Sequence, residues 1–445
     1  MKVFFPFFRA AVLWFSAVML PVTAAAQSPV TAAFVNVTVV PMDSPRLNPG
    51  QTVVVQNGRI AAIGPAAQVN VPSGALKIDG SGNFLIPGLA EMHGHNPPPG
   101  SSEEAVARTY FLYVANGVTV VRSMLGWDGQ LELREKVRRG QLLGPTLYLA
   151  GPSFNGQTVT SPAQAIQRVR DQKKQGWDLL KVHPGVPRDA YDAMAQTAAE
   201  VDIHFAGHVP ADVGLTHAIA KGQRTIDHLD GYVEHLGAAA GPVDPARLQE
   251  IVRMTRGHGT AVVPTMVLWD TIIGAHDLST LTAFAELKYM PAQEVAAWRA
   301  SYEKRIAAPG FNAAAARQVA ANRRAILKAL SDGGVDVLFG TDSPQQFSVP
   351  GFSIHREMQA MHAAGLSPYE ILRSATRNVA EHMGEAGEFG TVTPGARADL
   401  VLLKGNPLDD IGNVARQAGV MVRGQWLSEQ EIAKRLDQIA AGLRK

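Results

Sequence analysis

Apolar residues along this chain fall into short runs whose rhythm changes twice. Over residues 31–90 the runs "AAFVNVTVVPM", "TVVVQNGRIAAIGP" and "ALKIDGSGNFLIPG" are rich in Val and Ile and are separated by turn residues, the pattern of β-strands. Asn57-Gly58 splits the second run, and this dipeptide suits a tight type I′ hairpin because both central residues need positive φ. The same character returns in "ADLVLLKGNPL" and "GVMVRGQWL" near the other end. Two β-rich segments flanking a long middle predict one small β-sandwich domain assembled from residues 27–85 and 391–427.

The middle has a different period. Short apolar runs, "LIPGLAEMHGH", "NGVTVVRSM" (116–124), "GPTLYLAG" (144–151), "GWDLLKVHPG" (176–185), "VDIHFAGHVP" (201–210), "QRTIDHLDG" (223–231), "GTAVVPTMVL" (259–268) and "GVDVLFGTDSP" (334–344), alternate with helical stretches such as "SPAQAIQRVRDQKKQ". The repeat, about 20–30 residues, is what one strand, one helix and two loops require. Eight such strands predict an α/β fold, a (β/α)8 TIM barrel over residues 86–390, with a doubly wound open sheet as the competing arrangement. Residues 269–325 are too long for a simple crossover and read as a helical insertion after the seventh strand, emerging on the face where barrel loops build sites. Residues 428–445 read as an amphipathic helix, with Ser428 as N-cap and Glu431 three positions on.

The first 26 residues stand apart. Lys2 and Arg9 precede an apolar run that ends in Ala24-Ala25-Ala26, the layout of a secretory signal peptide cleaved before Gln27. An uncleaved membrane anchor is the alternative, but the run is short for a span and no basic stop-transfer segment follows. Cleavage removes two cations, leaving 39 basic against 39 acidic residues. That balance offers no basic patch for nucleic acid. The chain has no cysteine, so an exported form must rely on core burial, and any metal must be held by nitrogen and oxygen donors.

The candidate chemistry sits where strands end. Residues i and i+2 of a strand share a face, so His93 and His95 point the same way, as do Lys181 and His183. His208, His228 and Asp342 fall at the ends of the fifth, sixth and eighth expected strands. The C-terminal ends of barrel strands are where active sites are built. Each residue has a plainer reading: Asp342 could cap a turn, and His93 and His95 could be surface histidines. Lys181, flanked by Leu179, Leu180 and Val182, is harder to dismiss, because a buried, uncompensated ammonium is expensive. His204 lies earlier in its strand and reads as a packing residue.

Taken together these stretches resemble the amidohydrolase superfamily, in its imidazolonepropionase-like and prolidase-like branch, over nearly all of the chain beyond residue 26. "LIPGLAEMHGH" is similar to the family's strand-one motif, "GWDLLKVH" to its strand-four lysine, "FAGHV" and "TIDHLDG" to its histidines, and "FGTDS" to its aspartate. The resemblance implies two divalent ions, Zn2+ foremost with Co2+ or Mn2+ as alternatives. His93, His95 and Asp342 would hold one, His208 and His228 the other, and Lys181 would bridge them as a carbamate. Asp342 would also be the catalytic base. Three departures bear on substrate: Arg122-Ser123 stands where many relatives carry Arg-Asp, "GPSFNG" closes the third strand, and "SPQQFSVPG" follows Asp342.

The implied activity is hydrolysis of C–N bonds in dipeptides or N-acyl amino acids, prolidase- or carboxypeptidase-like and extending to ochratoxin-type amides. A lactonase or esterase on the same site is the alternative, and a catalytically dead binding protein a third reading from another class. The expected partners are a small-molecule amide or peptide substrate and further copies of the chain in a homo-oligomer. Neither nucleic acid nor a stable membrane span after cleavage is expected, and the expected location is periplasmic or secreted.

Overall fold

Asn57 and Gly58 adopt φ of 51° and 73°, the left-handed pair that a two-residue hairpin with right-twisted strands demands. They join β2 (Asn48–Gln56) to β3 (Arg59–Pro65). The computed structural model describes residues 31–444; the expected leader, residues 1–26, lies outside the described residues.

The remaining strands of this region are β1 (Ala32–Val39), β4 (Leu76–Asp79) and β5 (Phe84–Pro87). Seven parallel-sheet strands follow: β6 (Leu89–Gly94), β7 (Val118–Ser123), β8 (Thr146–Leu149), β9 (Leu179–Val182), β10 (His204–Gly207), β11 (Thr225–Asp227) and β12 (Ala261–Val263). Three more, β13 (Leu400–Leu403), β14 (Gln417–Val422) and β15 (Gln425–Ser428), come near the C-terminus. β1–β5 and β13–β15 form one eight-stranded mixed sheet in the order β15-β14-β13-β5-β1-β2-β3, with β4 paired to β1. The seam between the two ends of the chain is the antiparallel pair β13–β5, Leu400 to Leu403 lying against Pro87 to Phe84. Phe34, Val37, Val53, Leu85, Leu400 and Met421 are buried together across it. Each such side chain contributes about 1.5–3 kcal/mol by leaving water.

The middle of the chain makes two parallel arcs, β6-β7-β8 and β9-β10-β11-β12. Isolated bridges from Ala150 to Leu179 and from Phe154 to Val182 link one arc to the other. Here the structure departs from the expectation of eight strands. Residues 334–344 form no strand; they make one bridge, Val337 to Val262, and among the described residues the arcs do not close into an eight-stranded ladder. Packing against β6 and β12 explains this. Gly340 approaches so closely that a Cβ there would lie 2.9 Å from the His93 nitrogen. Asp342 takes φ 60°, and a left-handed residue cannot continue a pleated strand. The segment still runs between the arcs: the Met92 amide donates to Phe339 O at 2.8 Å and the Leu338 amide to Val262 O at 2.9 Å.

Helices pack outside the arcs. Pro162–Gln175 is capped by Ser161, with Gly176 at φ 89° ending it, the Gly C-terminus that the left-handed stop favours. The segment expected as a helical insertion is helical, but it begins sooner, because Met266–Ile272 turns into a helix three residues after β12. Leu278–Thr282, Ala292–Ile306 and Ala313–Asp332 follow. The last helix, Glu429–Gly442, has the expected capping box: Ser428 Oγ accepts from the Glu431 amide, and the Ser428 amide donates to Glu431 Oε2 at 2.8 Å. Among the described residues no helix is long and apolar enough to cross a membrane.

Candidate metal centre

Parallel strands end on the same side, and here the ends of β6, β10 and β11 converge with the middle of β9 and the Asp342 loop. His93 and Lys181 are buried, at 1% and 0% exposure. Lys181 Nζ lies 3.2 Å from His93 Nε2. That nitrogen is 3.7 Å from Asp342 Oδ1, and His95 Nε2 is 2.6 Å from the same oxygen. One donor atom from each of His93, His95 and Asp342 lies within 4.8 Å of the others, close enough for one small cation. The His228 ring centroid is 4.4 Å from that of His93 and 4.6 Å from that of His208. All six residues singled out from the sequence are therefore brought into one cluster.

The outer nitrogens of His208 and His228 are engaged. His208 Nδ1 is 2.5 Å from Asp230 Oδ2, and His228 Nδ1 is 2.7 Å from Thr265 Oγ1. His93 Nδ1 sits 2.8 Å from Asp227 Oδ2, though off the line of a hydrogen bond, so both atoms lack a proper partner. With Nδ1 turned outward, Nε2 of His93 faces Lys181 and Nε2 of His228 faces Asp342, at 3.7 Å from Oδ2. An imidazole held by an outer oxygen and presenting its other nitrogen inward is the usual posture of a metal-ligating histidine. The donor set, imidazoles and a carboxylate without thiolate, suits Zn2+ and also Co2+ or Mn2+.

Burial sets the charges. It pushes the Lys181 ammonium down, against the pull of Asp227 and Asp342, and it drives the His93 and His228 imidazoles well below their ordinary range. For Asp342 burial acts upward, but His93 and the hydrogen bond from His95 outweigh it and hold the carboxyl down to about 2. His93 and His228 thus favour the neutral form and Asp342 the ionised one, the forms in which these groups bind metal.

Several supporting residues were not singled out from the sequence. Glu91 is buried on the same face of β6 as His93; its Oε1 accepts from the His93 and Thr341 amides, and Oε2 from Thr341 Oγ1 at 2.6 Å. Burial raises its carboxyl to about 8. The same period of two that pairs His93 with His95 points to it. Asp227 and Asp230 flank His228 in "DHLD" and were legible too. Arg122 donates to Met92 O and, at 3.4 Å, to Asp227 Oδ1. Tyr113, whose hydroxyl donates to Ser343 O, and Thr265 carry no local signal. His183 stacks on His208 with centroids 5.1 Å apart. His204 corrects an expectation: read as a packing residue, it is exposed at the start of β10, because the strand begins at it and leaves its side chain at the open end. Of the insertion's aromatics, Trp269 reaches the cluster, 5.7 Å from His228, whereas Tyr289 and Trp298 pack on Phe352 and Phe347 of the loop after Asp342.

Fold and site together define a class, α/β proteins with a histidine–carboxylate–lysine cluster at parallel strand ends. The chain belongs to the amidohydrolase family, whose sequence profile matches residues 84–427. Among curated relatives it is 22% identical over 404 residues to adenine deaminase 3 of Rhizobium meliloti (strain 1021), covering 86% of this chain and 55% of that one. It is 21% identical over 428 residues to ochratoxinase of Aspergillus niger, covering 81% and 78%. The chain spans about half the length of the adenine deaminases it matches. Among solved structures, a bottromycin amidohydrolase superposes with a TM-score of 0.75 at 24% identity, covering 94% of this chain and 91% of that one, which establishes a shared fold.

Proposed function

We propose that this chain is an exported, homo-oligomeric, two-metal amidohydrolase that cleaves C–N bonds in small amides, dipeptides or N-acyl amino acids. The observation that carries the reading is Lys181, fully buried, with its ammonium disfavoured and Nζ 3.2 Å from His93 Nε2. A neutral amine is the form that adds to carbon dioxide, releasing a proton and leaving an anionic carbamate with two oxygen donors. Lys181 in that form would join the His93, His95 and Asp342 group to the His208 and His228 pair. The two arcs would then belong to one (β/α)8 barrel, residues 86–390, beside a small β domain of residues 27–85 and 391–427.

Bound divalent ions would supply Lewis-acid polarisation of the scissile carbonyl and a lowered pKa for water. The rest falls to the protein. Asp342, ionised and fixed through its amide to His93 O at 2.6 Å, would accept a proton from the attacking water and return it to the leaving amine. Asp230, a carboxylate acceptor, fixes the tautomer of His208 with its proton on Nδ1, and Thr265 Oγ1 orients the His228 ring through Nδ1. Trp269 supplies an apolar wall against His228.

The adenine deaminase relatives favour a second reading, a one-metal ring deaminase held by His93, His95, His208 and Asp342. A lactonase or esterase on the two-metal site is a third. Metal analysis of purified protein, alongside dipeptide, N-acyl amino acid, lactone and adenine panels, separates them. The proposal expects two ions per chain, amide hydrolysis, and loss of most metal and activity in Lys181→Ala, partly restored by short carboxylates. Should Lys181→Ala keep its metal and its turnover, the two-metal reading fails.

A further inference from the structure

A second polar site lies at the opposite ends of the strands. Asp178, His204 and Arg224 stand at or just before the starts of β9, β10 and β11, and with Arg122, His382 and Met383 they line a cavity of about 60 Å³. That is room for one small ion with a few waters. Two guanidiniums line it: Arg122 is paired with Asp227 at 3.4 Å, whereas Arg224 has no carboxylate partner among the described residues. Arg122 is 2% exposed and gives Nε to Met92 O and Nη2 to Thr225 Oγ1 and Asp227 Oδ1, while its Nη1 has no hydrogen-bond partner among the described residues. Arg224 gives Nη2 to His382 O at 3.1 Å, and its Nε is buried with no partner. The one lining carboxylate, Asp178, is engaged through Oδ2, which accepts from Arg134 Nη1 and from the Leu149 amide, both at 2.7 Å.

A buried guanidinium donor left without an acceptor, as Arg224 Nε is, costs free energy that a ligand can recover. We propose that this cavity, which opens to solvent beside Asp178 and His204, is a binding site for a small monovalent anion of chloride size, held between Arg122 and Arg224. The imidazoles suit the role. Partial desolvation and Arg224 hold His204 below its ordinary range, and burial with both arginines holds His382 down to about 3, so near neutral pH each favours the uncharged form and keeps one N–H to donate. Two cations repel any metal ion, and a larger polyanion would meet Asp178. The site also connects to the candidate metal centre, because Arg122 holds Asp227, and Asp227 lies 2.8 Å from His93 Nδ1.

Bromide is the probe. In crystals soaked with bromide, an anomalous peak is expected between Arg122 and Arg224. In solution, the melting temperature should rise saturably by a few degrees as chloride or bromide replaces gluconate, which is too large to enter, at constant ionic strength. Arg224→Gln should lose both peak and shift, whereas Arg224→Lys, which keeps the charge, should retain them. An equal response to gluconate, or a bromide peak without a saturable shift (an adventitious ion only), would overturn the proposal. So would an Arg224→Gln variant that responds as the wild type does.

Discussion

At the scale of single residues, the cluster separates groups that handle protons from groups that aim ligands. Asp342 is ionised, in contact with His95 and 3.7 Å from both His93 and His228. On the proposed function, Asp342→Asn keeps an oxygen that can coordinate but removes the proposed proton acceptor. Metal content should therefore stay near that of the wild type while kcat falls roughly 10²–10⁴-fold, the usual worth of a general base; metal analysis beside steady-state kinetics checks the split. Asp230 acts through another residue, its carboxylate 2.5 Å from His208 Nδ1. Asp230→Ala frees that ring to rotate and change tautomer, and metal affinity should drop about 10–100-fold. Competition with a chelator measures it, and affinity equal to the wild type would show that His208 needs no such partner. The ligand candidates were legible because strand periodicity fixes which residues share a face. Thr265 and Tyr113 were not, because they reach the site from segments far away in the chain.

At the scale of elements, the helix Met266–Ile272 shows how a long-range contact shapes a local start. Thr265 at its N-cap is left-handed and gives no side-chain cap. Instead Glu357, buried on the helix Ser353–Ala363, accepts the Met266 amide at 2.7 Å and the Val267 amide at 3.0 Å. Burial pushes its carboxyl up to about 7, those two hydrogen bonds and Arg323 pulling against it while Asp270 adds to it. A folded-state value above the ordinary 4.5 means the folded protein retains a proton that the unfolded chain gives up. Stability should therefore fall as pH rises from about 4.5 to about 7, by at most about 1.4 kcal/mol per pH unit. In Glu357→Gln this component disappears. Denaturant melts at pH 5 and pH 7 should show the variant losing less stability than the wild type over that interval, and parallel losses would exclude Glu357 as the source. The same long-range dependence explains the misread eighth strand. "VDVLFG" has the apolar content of a strand, but the left-handed turn at Asp342 and the close approach at Gly340 come from packing against β6, which an apolar pattern does not encode.

At the scale of the molecule, the two ends of the chain depend on each other. The Asn57-Gly58 hairpin and the Val-rich runs were readable as strands because their signals are local, and the return of that pattern after residue 391 pointed to a shared unit. The order of strands in the sheet was not readable, since it rests on pairings across more than 300 residues, such as Leu402 with Leu85. β5 lies between β1 and β13 and leads directly into β6, which carries His93. Removing residues 391–445 would strip β13–β15 from the sheet and leave β5 with an open edge. It would also expose Phe34, Val37 and Leu85, which pack with Leu400, Leu402 and Met421. Each newly wetted side chain costs about 1.5–3 kcal/mol, so these three together cost about 4.5–9 kcal/mol, comparable to the about 5–15 kcal/mol that holds a typical domain folded. An unpaired apolar edge is also a template for aggregation. The truncated chain should therefore be insoluble or melt without a cooperative transition, and adding residues 391–445 as a separate chain should restore some cooperative folding and metal binding. Calorimetry and metal content of the co-expressed halves measure this. A soluble chain ending at residue 390 with wild-type melting would mean that β5 holds its place, and His93 its position, without the C-terminal strands.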